Sequence, residues 1–186
     1  MVRVYAAGRI HFDDWRTRVY EDAGDWNSEA YSNSMPPFPE TPIVGVPAIY
    51  TGPYFVRCDH GCFHGPNSHG VGADDNGGCT SIGGDRRRME TFRNCCDAID
   101  RSDIVYAFIE DREAFGTLWE LGYAKGRGKT VYIDLKPTFE PIDDDKNRLD
   151  QDLWFALEGA TRWTRWGNPV EGLKSAVRHF LEFGPY

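Results

Sequence analysis

The 186-residue sequence has no long apolar run, and so no segment able to cross a bilayer as a helix. It also lacks a surplus of positive charge: 21 Lys and Arg face 29 Asp and Glu, a formal net charge of −8 at pH 7. Broad nucleic-acid binding works by neutralising phosphates, so this balance excludes it. No stretch repeats at a fixed period, which excludes a solenoid or propeller. Residues 1–20 carry Arg3, Arg9, Asp13, Asp14 and Arg16 and do not read as a secretory leader, so the cytoplasm is the expected location. Cysteine is scarce and odd in number, five in all with Cys95 and Cys96 adjacent. That count does not suit a disulfide framework; reduced thiols or metal ligands are expected.

What is present is enough for a core. Hydrophobic residues make up 40% and aromatics 14% of the chain, sufficient for one domain of this length. The expected fold is α/β: a single Rossmann-like or flavodoxin-like domain (1–186), with a parallel sheet of about five strands flanked by helices. Irregular loops are expected near 23–47 and 58–85. The first strand is Val2 to Ala7, followed by a turn at Gly8 and Arg9. DDWRTRVYED, Asp13 to Asp22, suggests a helix capped by Asp13 or Asp14, with Trp15, Arg18 and Val19 on one face. Ala48 to Arg57 reads as a strand broken by Gly52 and Pro53. Met89 to Asp100 reads as a helix with Met89, Phe92, Cys96 and Ile99 as its core face. Leu153 to Gly159 suggests a short helix and Ala160 to Trp166 a strand. Pro169 to Phe183 is expected to be the last helix, closed by Gly184 and burying Val170, Leu173, Val177, Phe180 and Leu181.

The centre of the chain is Ser102 to Leu135. Ile104 to Ile109 is a short β-branched and aromatic run, hence a buried strand. A helix follows, with Thr117 as candidate N-cap and Glu120 at capping-box spacing. Leu118, Leu121 and Ala124 share one side of it, and Gly126 or Gly128 ends it. Lys129 to Leu135 is a second buried strand. Strand, helix and strand at this spacing make a βαβ unit. Glu120 then sits beyond the carboxyl end of a parallel strand, where open α/β sheets place ligands. A purely structural alternative is that Glu120 closes a capping box and favours the helix dipole.

Several other residues carry chemistry. Gly8 allows close approach of backbone to a ligand, and Arg9 can reach a carboxylate or phosphate. Glu110, Asp111 and Glu113 lie between strand and helix, where one of them can bind a sugar hydroxyl or a base. Asp103 reads as a polar cap on the strand entry. Cys58, His60, Cys62, His64, His69 and Cys79 crowd into a glycine-rich stretch. Its spacing does not match paired zinc knuckles. A metal site, an active-site loop and a plain polar loop all remain open for it. The Arg86 to Arg88 cluster suits a phosphate or a solvated surface.

The stretch GTLWELGYAKGRGKTV, after a strand ending in acidic residues, resembles the nucleoside 2-deoxyribosyltransferase family and its N-glycoside hydrolase relatives. VYAAGRI, with Tyr5 and Gly8, is similar to the family's first strand and turn. The likeness covers residues 1–12 and about 85–135. It implies that Glu120 is the nucleophile and that Tyr5 holds it. Gly8, Arg9, His60, Glu110, Asp111, Gly116 and Thr117 are the candidate substrate-binding residues, and the resemblance implies a homo-oligomer. Two family aspartates are replaced: one position is Ala114, six before the nucleophile, and the other falls near Asn94 or Cys95. The change at Ala114 favours hydrolysis or an unusual substrate. His60 or His64 can supply the missing acid, since histidine titrates near neutral pH.

The implied reaction is cleavage of the N-glycosidic bond of a (deoxy)nucleoside or nucleotide, with the sugar passed to another base or to water. Glu120 must be ionised for this, and the helix N-terminus together with Tyr5 is expected to keep it so. No metal or organic cofactor is required. Alternatives are hydrolysis of NAD or another dinucleotide, and a non-catalytic nucleotide-binding module.

Overall fold

The computed structural model describes residues 1–9, 14–19, 41–53, 84–137 and 149–185, with the backbone alone for 84–91. His60, His64 and the rest of the Cys58 to Cys79 stretch lie outside the described residues, as do residues 23–40. The side chains of Arg86, Arg87, Arg88 and Met89 are likewise outside them.

The described elements run in the order β1 (Val2–Gly8), a 3-10 turn (Trp15–Arg18), β2 (Thr41–Pro42), β3 (Ala48–Gly52), α1 (Gly84–Asp100) and β4 (Ile104–Ile109). They continue with α2 (Phe115–Gly126), β5 (Thr130–Leu135), α3 (Leu149–Asp152), α4 (Trp154–Gly159), β6 (Arg162–Thr164) and α5 (Pro169–Phe183). The sheet has six strands in the order β2-β3-β1-β4-β5-β6. Five are mutually parallel, and the two-residue β2 pairs antiparallel at the edge. The parallel part is the sheet expected from the sequence. β2 is an addition, carved from a stretch read as irregular. Without it the order is that of a flavodoxin-like sheet, whose direction of winding reverses between β1 and β4.

The strands are central because their composition leaves them no wet face. All six residues of β4 and all six of β5 are buried. Odd-numbered β1 and β4 residues such as Tyr5, Ala7, Val105 and Ala107 pack with Ile99, Leu121, Ala124, Leu153 and Leu157 from the helices on one face. Val4, Ala6, Tyr106 and Phe108 pack on the other face with Trp15, Val19, Leu173 and Val177. Asp103 does support the strand entry, its Oδ2 accepting from the Arg3 amide at 2.8 Å. α5 begins and ends as its sequence indicates: Asn168 caps it, Pro169 follows, and Gly184 closes it with φ 79°.

Four local expectations need correction. Of the helix expected over Asp13 to Asp22, the described residues form a 3-10 turn over Trp15–Arg18, with Arg16 fully buried; Asp13 and residues 20–22 lie outside the described residues. The inner face of α1 is Cys95, Ala98 and Ile99, whereas Phe92 is 46% exposed and lies against Trp119. Leu181 of α5 is 51% exposed and stands outside the core stripe. α2 starts at Phe115 after Ala114, so Thr117 is a buried helical residue and not the cap. The chain enters α2 through a turn in which Asp111 Oδ1 accepts from the Glu113 amide at 2.9 Å, which moves the helix start ahead of Gly116.

Candidate active site

The β1/β4 switch point, where open α/β sheets place ligands, is framed by both strand ends and the start of α2. Gly8 pairs with Phe108 at the top of these strands. Its φ of +144° and a Cβ position only 2.8 Å from the Phe108 carbonyl oxygen admit glycine alone without rearrangement. Gly8 therefore closes β1 onto β4 by packing. Arg9 follows, its Nη1 3.0 Å from Asp111 Oδ2 across the strand ends. Glu110 accepts instead from Lys136 Nζ at 3.1 Å, at the neighbouring end of β5. Gly116 is exposed, and a Cβ there would meet open space.

Below this rim, the Tyr5 hydroxyl donates to Glu120 Oε1 at 2.5 Å. The two residues are 115 apart in sequence. The Tyr5 ring is fully buried in β1, flanked by Gly52, whose Cβ position lies 3.4 Å from the ring. Glu120 is the sixth residue of α2 and only half-buried. Its place excludes the capping-box role, which belongs to the first turn. Among the described residues Tyr5 is its hydrogen-bond partner.

The electrostatics also differ from expectation. Burial pushes the Glu120 carboxyl up from 4.5 to about 7, against the opposing effects of the Tyr5 hydrogen bond and the Arg16 charge. Glu120 is thus poised near neutrality; the helix N-terminus, a turn and a half away, does not hold it fully ionised. Burial, the Cys95 thiol and Glu120 itself push Tyr5 well above its ordinary range, so Tyr5 stays a donor. Cys95, near one of the replaced family aspartates, is pushed up to about 12 chiefly by burial and remains a thiol.

The structure brings Tyr5 together with Glu120 and Arg9 with Asp111. It does not join Glu110 to the latter pair. Sequence reasoning named Asp14 as a cap, which it is, but missed Arg16 and the ion pair between them. Arg16 Nε donates to the Ala6 carbonyl at 2.8 Å and Nη2 to the Gly8 carbonyl at 2.7 Å, while Nη1 meets Asp14 Oδ2 at 2.7 Å. The available signal was an arginine two residues after an aspartate beside a buried Trp15, a pattern equally at home on a surface helix. No family model, curated protein or solved structure matches the chain. Among the described residues no helix is long and apolar enough to cross a membrane, and no group of three or more potential metal ligands occurs.

Proposed function

We propose that the protein cleaves the N-glycosidic bond of a (deoxy)nucleoside or nucleotide, with Glu120 as nucleophile. The observation that carries this reading is the Tyr5 hydroxyl donating to Glu120 Oε1 at 2.5 Å beside the β1/β4 switch point. An ionised Glu120 oxygen attacks the anomeric carbon. The C–N bond breaks, and its electron pair leaves with the base nitrogen, which takes a proton from an acid. The resulting sugar ester is then attacked by water or by a nitrogen of an acceptor base, which restores the carboxylate. Tyr5 orients the carboxylate and, by donating to it, favours its ionised form. Arg9, exposed at the end of β1, is placed to meet a phosphate in exchange for Asp111.

A non-catalytic module in which Glu120 only caps a helix is disfavoured, because Glu120 lies beyond the first turn of α2. The test is base release from a panel of nucleosides, 5′-nucleotides and NAD, with and without an acceptor base. Wild type should release base and Glu120→Ala should not. Acceptor dependence separates transfer from hydrolysis. Release that survives in Glu120→Ala, or its absence across the panel, would sink the proposal.

A further inference from the structure

A cavity of about 420 Å³ lies between α2, β5 and the α3–α4 segment. Small-molecule sites run from ~300 to 1,000 Å³, so a hollow of this size can hold a ligand. Leu118, Leu121, Val131, Leu153, Phe155 and Ala156 make its walls apolar. Leu121, Val131 and Leu153 are buried core residues, whereas Phe155 is 78% exposed. The Trp154 ring, 60% exposed, meets the Phe155 ring edge-on with centroids 5.6 Å apart. Glu120 belongs to the same helix as Leu118 and Leu121 but turns to Tyr5, so the cavity is separate from the site described above.

Two features mark the cavity as kept for an occupant. The first is Gly122, which lines it from the interior of α2, where glycine weakens a helix relative to alanine. A Cβ at Gly122 would meet nothing within 4 Å, so no contact among the described residues requires the glycine. What its missing side chain leaves is room beside the apolar wall. Such a hollow is otherwise a loss, because interiors close on themselves and water finds no partners on walls of this kind.

The second is an unmatched charge. Lys125 and Asp152 are the charged residues in the lining. Asp152 is held by Arg112, whose Nε lies 2.5 Å from its Oδ2. The exposed Lys125 ammonium has no partner among the described residues. An apolar trough with one uncompensated cation is complementary to an apolar body carrying one anionic head. We propose that this cavity binds a small amphiphilic carboxylate, its hydrocarbon against Leu118, Leu121, Val131 and Leu153 and its carboxylate on Lys125 Nζ.

The test is calorimetric titration of the full chain with octanoate, octanol and octylamine at low ionic strength, where a surface charge is least screened. The three probes share a tail and differ in the head. Wild type should bind octanoate saturably at one site, about fivefold more tightly than octanol, with octylamine weakest. Lys125→Met should bring octanoate down to the level of octanol and leave octanol unchanged. Gly122→Leu fills the cavity from a helical position with open space around it; it should melt no lower than wild type and lose binding of all three probes. Absence of saturable octanoate binding overturns the proposal. So does an octanoate preference that persists in Lys125→Met, or binding that survives in Gly122→Leu. If Gly122→Leu does not fold, Lys125→Met decides alone. A wild-type dimer in sedimentation that Gly122→Leu converts to monomer, with octanoate inert, would assign the cavity to a second copy of the chain and also overturn the proposal. None of these outcomes depends on what Glu120 does.

Discussion

Two carboxyls lie on opposite faces of this sheet, the buried Asp134 and the half-buried Glu120, each accepting a tyrosine hydroxyl from a strand. Asp134 of β5 is 0% exposed and fully provided for. Its Oδ1 accepts from the Trp166 amide at 2.7 Å and Thr164 Oγ1 at 3.1 Å, and its Oδ2 from the Tyr106 hydroxyl at 3.2 Å. α5 closes over it at Gly172, where a Cβ would come within 2.7 Å of Oδ2. Glu120 has one such donor among the described residues and keeps part of its surface open. Burial raises the pKa of both groups. A carboxyl with its acceptor sites filled and no route to solvent ties β6 and the Trp166 segment to β5. One with a single donor among the described residues and part of its surface open is, on the function proposed above, placed for chemistry. The first is a joint and the second, on the proposed function, a reagent, although both look alike as single acidic residues next to apolar runs.

The widest expected gap between them is in activity. Glu120→Gln should lose base release by on the order of 10³-fold or more, since removing a nucleophile abolishes the covalent route, whereas Asp134→Asn should retain most of it. Steady-state assays on the two variants check this. Comparable losses in both would erase the distinction.

Stability should invert the order. Asp134→Ala strands the Tyr106 hydroxyl and the Trp166 amide and should cost about 3 kcal/mol in urea unfolding. Glu120→Gln should be neutral at pH 5 and stabilising at pH 8. The sign follows from the raised folded-state pKa: the protonated carboxyl contributes fully below its ordinary value of 4.5, and that contribution is lost as pH rises through about 7. Wild type alone therefore loses stability across this window, and the difference between the two melting curves at pH 5 and pH 8 reads it.

A smaller effect is expected from Tyr5→Phe. Loss of a hydrogen bond to a charged group should lower kcat/KM by about 10- to 100-fold. The acid limb of its pH profile, set in wild type by Glu120 at about 7, should move upward. An unmoved limb would mean that Tyr5 only fills space.

The smallest stability change belongs to Arg9→Ala. Its ion pair with Asp111 joins side chains 61% and 41% exposed, so the change should stay within about 0.5 kcal/mol. Its effect, if phosphate binds there, is a raised KM for 5′-nucleotides with little change for nucleosides.

The sequence made the sheet legible because β4 and β5 are continuous apolar runs bounded by turns, and α5 carries both its caps. It also made Tyr5 and Glu120 legible, through resemblance and through their place at strand and helix. It did not reveal their partners. Asp134 lies inside an apolar run, and the donors that satisfy it come from Tyr106 and from residues 30 and 32 positions later. Arg16 received no place in the expected helix, because periodicity put Trp15, Arg18 and Val19 on its face and does not report a 3-10 turn that buries the residue between them. The Thr117 cap failed for a local reason: the Asp111 side chain starts the turn earlier than the GT dipeptide suggests. Burial patterns locate elements, while pairings between distant strands decide which polar residues inside them are satisfied.

The most direct measurement is intact-mass analysis of acid-quenched protein after mixing with a cleavable nucleoside, followed by peptide mapping. A sugar adduct on the peptide carrying Glu120, absent in Glu120→Gln, is the predicted result. Base release at an undiminished rate by Glu120→Gln, with any adduct placed on another residue, would contradict the account.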